Sequence, residues 1–143
     1  MAHRTWLLVA GTVIAAVGGG AAVARGGMPA AGIYTAQQAS EGEAIYAERC
    51  AMCHGVALEG TFETPALTGR FIANWGRRPA GDLYAYLARA MPQFAPGSLS
   101  TEDDARLVAF ILARNGYPAG PVPLAERAPG GAGGVLGPPG PNH

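Results

Sequence analysis

The stretch Cys50-Ala51-Met52-Cys53-His54 constrains this chain more than any other, and it contains both cysteines of the sequence. It reads C-x-x-C-H, the pattern that attaches c-type haem. Two thiols at this spacing lie about one helical turn apart, so each can add to one vinyl group of the same porphyrin. The next residue then presents an imidazole nitrogen to the iron. The motif predicts one covalently bound haem c, with thioether bonds at Cys50 and Cys53 and His54 as an axial iron ligand.

Three other readings of the cysteine pair are weaker. A thioredoxin-like redox pair normally follows a strand and opens a helix, whereas this pair closes a predicted helix and is followed directly by a histidine. A zinc site needs about four ligands, and the other histidines, His3 and His143, lie at the ends of the chain. A disulfide across two intervening residues would close too short a loop to stabilise the fold much.

The first 24 residues have the features of an export signal. Residues 1–4 are basic, residues 5–24 are almost wholly apolar or glycine, and residues 22–24 fit the small-x-small cleavage pattern. Cleavage after Ala24 would release the rest of the chain into the periplasm. The alternative is an uncleaved membrane anchor, because the apolar run approaches the roughly 20 residues that span a bilayer.

Composition places a small domain between two biased ends. The 143 residues contain 22 glycines and 12 prolines, concentrated near the termini. We therefore expect a lead-in over residues 25–34, a compact domain over 35–120 and a disordered Pro/Gly-rich tail over 121–143. A domain this small often needs a covalent or metal staple, which the haem would supply. Basic and acidic residues number 10 each, and no nucleic-acid-binding footprint appears.

Periodicity and capping signals predict an all-α domain with no convincing strand. Thr35 is the expected N-cap of the first helix, and Ser100, followed by three acidic residues, is the expected N-cap of the last. Asn115 and Gly116 form a C-cap signal. Residues 55–80 are expected to be loop-like because they contain two prolines and several glycines. The predicted helices cover residues 35–50, 81–90 and 101–115.

Motifs of this compact domain resemble the class I cytochromes c. In that family the N-terminal helix carries a glycine and, four residues on, an aromatic, and the first haem cysteine follows four residues later. Gly42, Tyr46 and Cys50 keep that spacing. Leu107 and Phe110 match the leucine and aromatic of the C-terminal helix that pack across the glycine. The resemblance implies a cytochrome c fold of three main helices around one haem. It is nearest to small bacterial cytochromes, including those that partner periplasmic dehydrogenases.

The resemblance also implies further site residues. The Pro-Ala-Leu run that begins at Pro65 resembles the family's Pro-x-Leu, whose proline carbonyl accepts a hydrogen bond from the axial histidine. The segment around Met91 resembles the one that presents the methionine ligand. Met91 also has few competitors, because Met1 and Met28 fall in the signal and lead-in, and Met52 lies within the attachment motif on the histidine side.

Two residues are candidates to bind a haem propionate. Trp75 resembles the family's propionate-contacting tryptophan in rough position, with plain core packing as the alternative, and Arg70 is the second candidate. Arginines in this region and glutamates elsewhere are either solvated surface or a dipole that steers a redox partner.

We expect the protein to carry single electrons rather than to catalyse a reaction. Ligation by His54 and Met91 would leave the iron no open site for a substrate. The partners would be redox donor and acceptor proteins, such as a periplasmic dehydrogenase or a terminal oxidase, that dock through a small interface. A membrane would be a partner only if the N-terminal segment stays uncleaved. The alternatives are a haem enzyme or ligand sensor with a labile sixth ligand, and a haem subunit of a larger dehydrogenase or oxidase complex.

Overall fold

The computed structural model describes residues 32–124 and residue 136. The described part contains the helices α1 (Ala36–Arg49), α2 (Ala51–His54), α3 (Arg70–Trp75), α4 (Ala80–Ala90) and α5 (Thr101–Arg114). No β-strand occurs among these residues, so the all-α prediction is confirmed. None of the described helices is long and apolar enough to cross a membrane. The expected export signal and most of the lead-in lie outside the described residues.

The two longest helices begin at the caps that the sequence predicted. The Thr35 hydroxyl accepts a hydrogen bond from the backbone N–H of Gln38 at 3.2 Å, and the Gln38 side chain accepts one from the Thr35 N–H at 3.1 Å. This reciprocal arrangement satisfies two of the donors that a helix N-terminus leaves free. At α5, the Ser100 hydroxyl accepts from the Asp103 N–H at 3.1 Å. Three acidic side chains then occupy the first turn, where the helix dipole favours them.

The centre of the fold is the crossing of α1 and α5. Gly42 lies against α5 so closely that a Cβ atom there would overlap the backbone carbonyl of Arg106. One turn along α1, the ring of Tyr46 packs on that of Phe110 with a centroid distance of 5.1 Å. Leu107, three residues before Phe110 on α5, is 1% exposed. The predicted close approach at the glycine is therefore confirmed.

Helix α4 packs its apolar side against α5. Leu83 and Leu87, four residues apart, are both buried. The hydroxyl of Tyr84 donates a 3.2 Å hydrogen bond to the Thr101 carbonyl at the start of α5. Because α4 ends at Ala90, this packing fixes where Met91 leaves the helix.

The prediction of a loop over residues 55–80 missed helix α3. This helix has only six residues and lies between Gly69 and Gly76, so it is too short for a periodic signal. It forms because Phe71 is buried and the ring of Trp75, four residues on, lies 6.5 Å from the Phe71 ring. Tertiary packing, and not local propensity, accounts for it.

The tail, residues 121–143, is described only at residues 121–124 and at residue 136, so its expected disorder stays a prediction. Leu124 is 1% exposed and Leu136 is 3% exposed, and both belong to the hydrophobic core. The residue just before the tail is also hydrogen-bonded to the fold, because the Gly120 N–H donates to the Tyr34 carbonyl at 2.7 Å. The glycine- and proline-rich composition of the tail gave no indication that two of its leucines are buried.

Candidate functional site

One cavity of about 590 Å³ receives side chains from all five described helices. Its volume lies within the range of roughly 300–1,000 Å³ that is typical of ligand and cofactor pockets. Most of its wall is apolar, including Leu83 and Leu87 of α4 and Leu107 and Ile111 of α5. Helix α5, which packs on α1, thus also forms part of the cavity wall.

The two cysteines and His54 line the cavity together. Cys50 ends α1, with its N–H bonded to the Tyr46 carbonyl at 2.9 Å, and its own carbonyl accepts from the His54 N–H at 2.9 Å. This extra helical turn, α2, places both thiols and the imidazole on the wall of the same cavity. The two cysteines form no disulfide. Burial raises the pKa of the Cys50 thiol to about 11. That protonated thiol is unlike the low-pKa thiolate of a redox-active cysteine pair.

The imidazole of His54 is oriented by a backbone carbonyl. Its Nδ1 lies 3.0 Å from the carbonyl oxygen of Pro65. A carbonyl can only accept a hydrogen bond, so Nδ1 carries a proton, and in the neutral imidazole Nε2 then has the free lone pair. Such a contact fixes the ring and makes the free nitrogen a better metal ligand. The structure therefore brings Pro65 to the place that the sequence assigned to it.

Asn115, the C-cap of α5, forms a hydrogen bond to the loop that carries Pro65. The Leu67 N–H donates to the Leu58 carbonyl at 2.8 Å within the loop. The Asn115 amide then donates to the Leu67 carbonyl at 2.7 Å and to the Ile111 carbonyl at 2.8 Å. Sequence reasoning assigned Asn115 only as a helix cap, and no local pattern marks the contact across 48 residues.

Tyr46 of α1 forms a second hydrogen bond of this kind, directly after the attachment motif. Its hydroxyl donates a 2.6 Å hydrogen bond to the carbonyl of Gly55, the residue directly after His54. Gly55 has a φ of 79°, a conformation that favours glycine, and this sharp turn lets the chain leave α2. Burial is the largest cause that raises the pKa of Tyr46 to about 12, so its hydroxyl stays a donor across the neutral range.

Met91 lines the same cavity as His54. It is the C-cap of α4, and its N–H bonds to the Leu87 carbonyl at 2.9 Å. Its backbone is extended, with φ −125° and ψ 151°, so the chain turns away from the helix at this residue. The side chain is half-buried and packs against the hydrophobic core. Phe94, 63% exposed, follows it on the cavity wall.

The two propionate candidates have different positions. Trp75 is half-buried and lines the cavity, with the ring of Tyr86 at 5.5 Å. Arg70 is exposed and is not part of the cavity wall, so the structure does not support a role for it there. The two residues are five positions apart on α3, about 140° round a helix, and cannot share a face. The arginines that do line the cavity are Arg49 and Arg78.

These residues fit a covalently attached haem. The cavity combines a mostly apolar wall with two thiols, an imidazole whose free nitrogen is fixed by a carbonyl, a thioether sulfur and two guanidinium groups. Within the described residues no cluster of three or more His, Cys, Asp or Glu side chains could hold a metal ion by itself. A haem explains both the apolar volume and the polar groups around it.

Comparison with known protein families agrees with this chemistry. Residues 37–111 match the family described as "Cytochrome C oxidase, cbb3-type, subunit III". The chain is 33% identical over 79 residues to a thiosulfate dehydrogenase of Stutzerimonas stutzeri, a match that covers 50% of this chain and 26% of the relative. It is also similar to the sulfane dehydrogenase SoxCD of Paracoccus pantotrophus, with 30% identity, a TM-score of 0.46, and coverage of 55% of this chain and 43% of the other. The chain thus spans about a quarter of its curated relative and less than half of the matched structure.

Proposed function

This chain belongs to the cytochrome c family described as cbb3-type cytochrome c oxidase subunit III, and from that premise we propose that it is a periplasmic single-electron carrier. It holds one covalent haem c, with His54 and Met91 as axial ligands. Family membership makes it a c-type cytochrome that works in electron transfer. The number of haems, the ligand pair, the location and the carrier role belong to this proposal.

The convergence of four side chains on one cavity carries the proposal. Cys50, Cys53, His54 and Met91 all line the same space, although Met91 lies 37 residues beyond His54 in the sequence (91 minus 54). Of the two methionines in the described part of the chain, Met91 lines this cavity and Met52 does not. The placement supports Met91 as the second axial ligand.

Each group has a definite task in the proposed carrier. A bound haem supplies an iron that takes up and releases one electron. Cys50 and Cys53 hold it covalently, so the small domain cannot lose it. His54 is kept in one tautomer by the Pro65 carbonyl, and Met91 presents a soft sulfur that favours ferrous iron and raises the reduction potential. The apolar wall excludes water, and filled axial positions leave no site for a substrate.

Substitution of Met91 tests the ligand pair. In purified holoprotein, Met91→Ala is expected to abolish the charge-transfer band between methionine and ferric iron and to make the ferrous protein bind carbon monoxide. Met52→Ala is the matched control, because Met52 is 74% exposed and does not line the cavity. The proposal fails if unsubstituted protein already binds carbon monoxide readily, or if Met91→Ala leaves the spectrum unchanged.

A second candidate function is a haem subunit of a larger dehydrogenase complex. The similarity to part of a longer protein called thiosulfate dehydrogenase favours it. Purification from the native host at low salt distinguishes the two candidates. A diffusing carrier is expected to come away alone, whereas a subunit should elute with a stoichiometric partner that has dehydrogenase activity.

A further inference from the structure

The short connection between α3 and α4 brings a positive charge to the cavity. Arg78 lies between Trp75 and Ala80, and its N–H donates to the Trp75 carbonyl at 2.9 Å. Its guanidinium carbon lies 5.0 Å from the centroid of the Trp75 ring. Its Nε is 3.3 Å from an Asp82 carboxylate oxygen, in a pair whose side chains are 55% and 46% exposed. Arg78 therefore stands where the cavity wall meets solvent.

In the described part of the chain, the groups that contact the Arg78 side chain hold it only weakly. An exposed ion pair such as that with Asp82 contributes about 0–1 kcal/mol. A cation–π contact near the surface contributes roughly 0.5–1 kcal/mol. The position of Arg78 consequently depends on how firmly its backbone is held.

The backbone of Arg78 is held from the C-terminal part of the chain. The Leu136 N–H donates a 3.0 Å hydrogen bond to the Arg78 carbonyl. The Leu136 side chain is 3% exposed and belongs to the hydrophobic core, so this amide is anchored by burial. A residue 58 positions away in the sequence (136 minus 78) thus fixes the connection that carries a cavity-lining charge.

Leu124 provides an internal comparison. It is buried to the same degree, at 1% exposure, and its N–H is also bonded, to the Gln38 side chain at 2.9 Å. Gln38 belongs to α1 and does not line the cavity. The two leucines therefore make similar contributions to burial but are bonded to different parts of the fold.

We propose that Leu136 is a positioning residue that holds Arg78 at the edge of the haem cavity and thereby raises the reduction potential. The inference rests on the proposed haem-carrier function. Reduction lowers the charge of the iron by one, so a nearby cation stabilises the ferrous form relative to the ferric form. When Leu136 no longer anchors the connection, Arg78 moves into solvent, where its charge is screened.

The test is a set of substitutions in the full-length holoprotein, each characterised by potentiometric titration and thermal unfolding. Leu136→Ala and Leu124→Ala are both expected to lower the unfolding temperature. Only Leu136→Ala should lower the potential, by an amount equal to about a two- to fivefold fall in the ferrous-to-ferric ratio at fixed ambient potential. Arg78→Ala should give at least the same fall, and adding Leu136→Ala to it should give no further one.

Each other outcome overturns the inference. Equal potentials for Leu136→Ala and Leu124→Ala would show that Leu136 is only structural, as would additive shifts in the double variant. If Leu136→Ala does not accumulate, Leu136→Val provides a milder change and must still lower the potential. A normal haem c spectrum with unaltered potentials refutes the positioning role alone, whereas absence of haem from unsubstituted protein refutes the carrier function as well.

Discussion

The α1–α5 crossing and the cavity beside it share helix α5 but differ in how they are filled. At the crossing, Gly42 admits the α5 backbone and the rings of Tyr46 and Phe110 pack at 5.1 Å, so protein atoms alone complete the interface. In the cavity, about 590 Å³ is enclosed by mostly apolar side chains. The crossing, which we call the frame, is filled by protein atoms, whereas the cavity has the volume and lining for a cofactor.

Two hydrogen-bonded side chains connect this frame to the cavity. Tyr46 of α1 reaches the Gly55 carbonyl, and Asn115 at the end of α5 reaches the Leu67 carbonyl. The orientation of the attachment motif and of the Pro65 loop is therefore set by the crossing. Four substitutions test this difference. Gly42→Ala changes the frame, and Asp104→Asn lies near the contact of α4 with α5. Asn115→Ala and Tyr46→Phe remove the two connecting hydrogen bonds.

The largest effect is expected from Gly42→Ala. The new methyl group would overlap the Arg106 backbone carbonyl, which cannot move without separating the helices. We expect a loss of about 3 kcal/mol or more in unfolding free energy, at the upper end for overpacking. Gly81→Ala in α4 is the matched control, because a Cβ there has nothing within 4 Å. It should gain roughly 0.5 kcal/mol from helix propensity. Equal effects in chemical denaturation would contradict a tightly closed crossing.

A pH-dependent effect is expected at Asp104, near the contact of α4 with α5. Its side chain is 3% exposed, and among the described residues its Oδ1 has no hydrogen-bond partner. Burial first, and the charge of Asp103 second, raise the pKa of Asp104 from 3.8 to about 6. The Asp104 charge also contributes, after burial, to the raised pKa of Tyr84.

The sign of that effect follows from the raised pKa. Since the unfolded chain releases the Asp104 proton at lower pH than the folded chain does, the carboxyl destabilises the fold as pH rises from about 4 to about 6. The full cost above that window is roughly 3 kcal/mol. Asp104→Asn should match the unsubstituted protein near pH 4 and exceed its unfolding free energy by up to that amount at pH 7. Parallel stability curves across this range would contradict a buried, unpaired carboxyl.

A smaller loss is expected from Asn115→Ala. It leaves the Leu67 carbonyl without its 2.7 Å donor and frees the Pro65 loop. The cost is about 2 kcal/mol, within the range for an orphaned buried acceptor. Because the loop orients His54, the holoprotein spectrum should broaden or shift as well. A loss of stability with an unchanged spectrum would mean that the loop is held independently of α5.

The smallest effect is expected from Tyr46→Phe. The ring and its packing on Phe110 are kept, and only the 2.6 Å bond to the Gly55 carbonyl is lost. Denaturant unfolding should show a cost of about 1 kcal/mol. A cost as large as that of Asn115→Ala would contradict the smaller contribution expected of the Tyr46 hydrogen bond.

Helical spacing and caps predicted the two helices of the crossing, and the resemblance to class I cytochromes c implied that they pack at Gly42. Gly42, Tyr46 and Cys50 are four apart, and the Thr35 and Ser100 caps are local hydrogen bonds that depend on nearby residues alone. The attachment motif is equally local, since its thiols and imidazole fall within five residues. In each case the chemistry requires a fixed, short separation along the chain.

The cavity walls could be predicted only in part, because their contacts join distant residues. The sequence assigned Asn115 as a cap but gave no sign that it bonds the Leu67 carbonyl. It selected Arg70, which is exposed, and did not distinguish Arg78, which lines the cavity. It also treated the C-terminal region as uniform, although burial selects Leu124 and Leu136 from it. Packing between residues that are distant in the sequence determines which side chains are buried and which line the cavity.

The optical spectrum of the native ferric protein, recorded together with its intact mass, tests the central claim most directly. We predict the mass of the chain plus one haem and a charge-transfer band that reports methionine bound to ferric iron. Those results would place Cys50, Cys53, His54 and Met91 in their proposed tasks around the cavity. A mass without haem, or a haem spectrum that lacks the methionine band, would contradict the account.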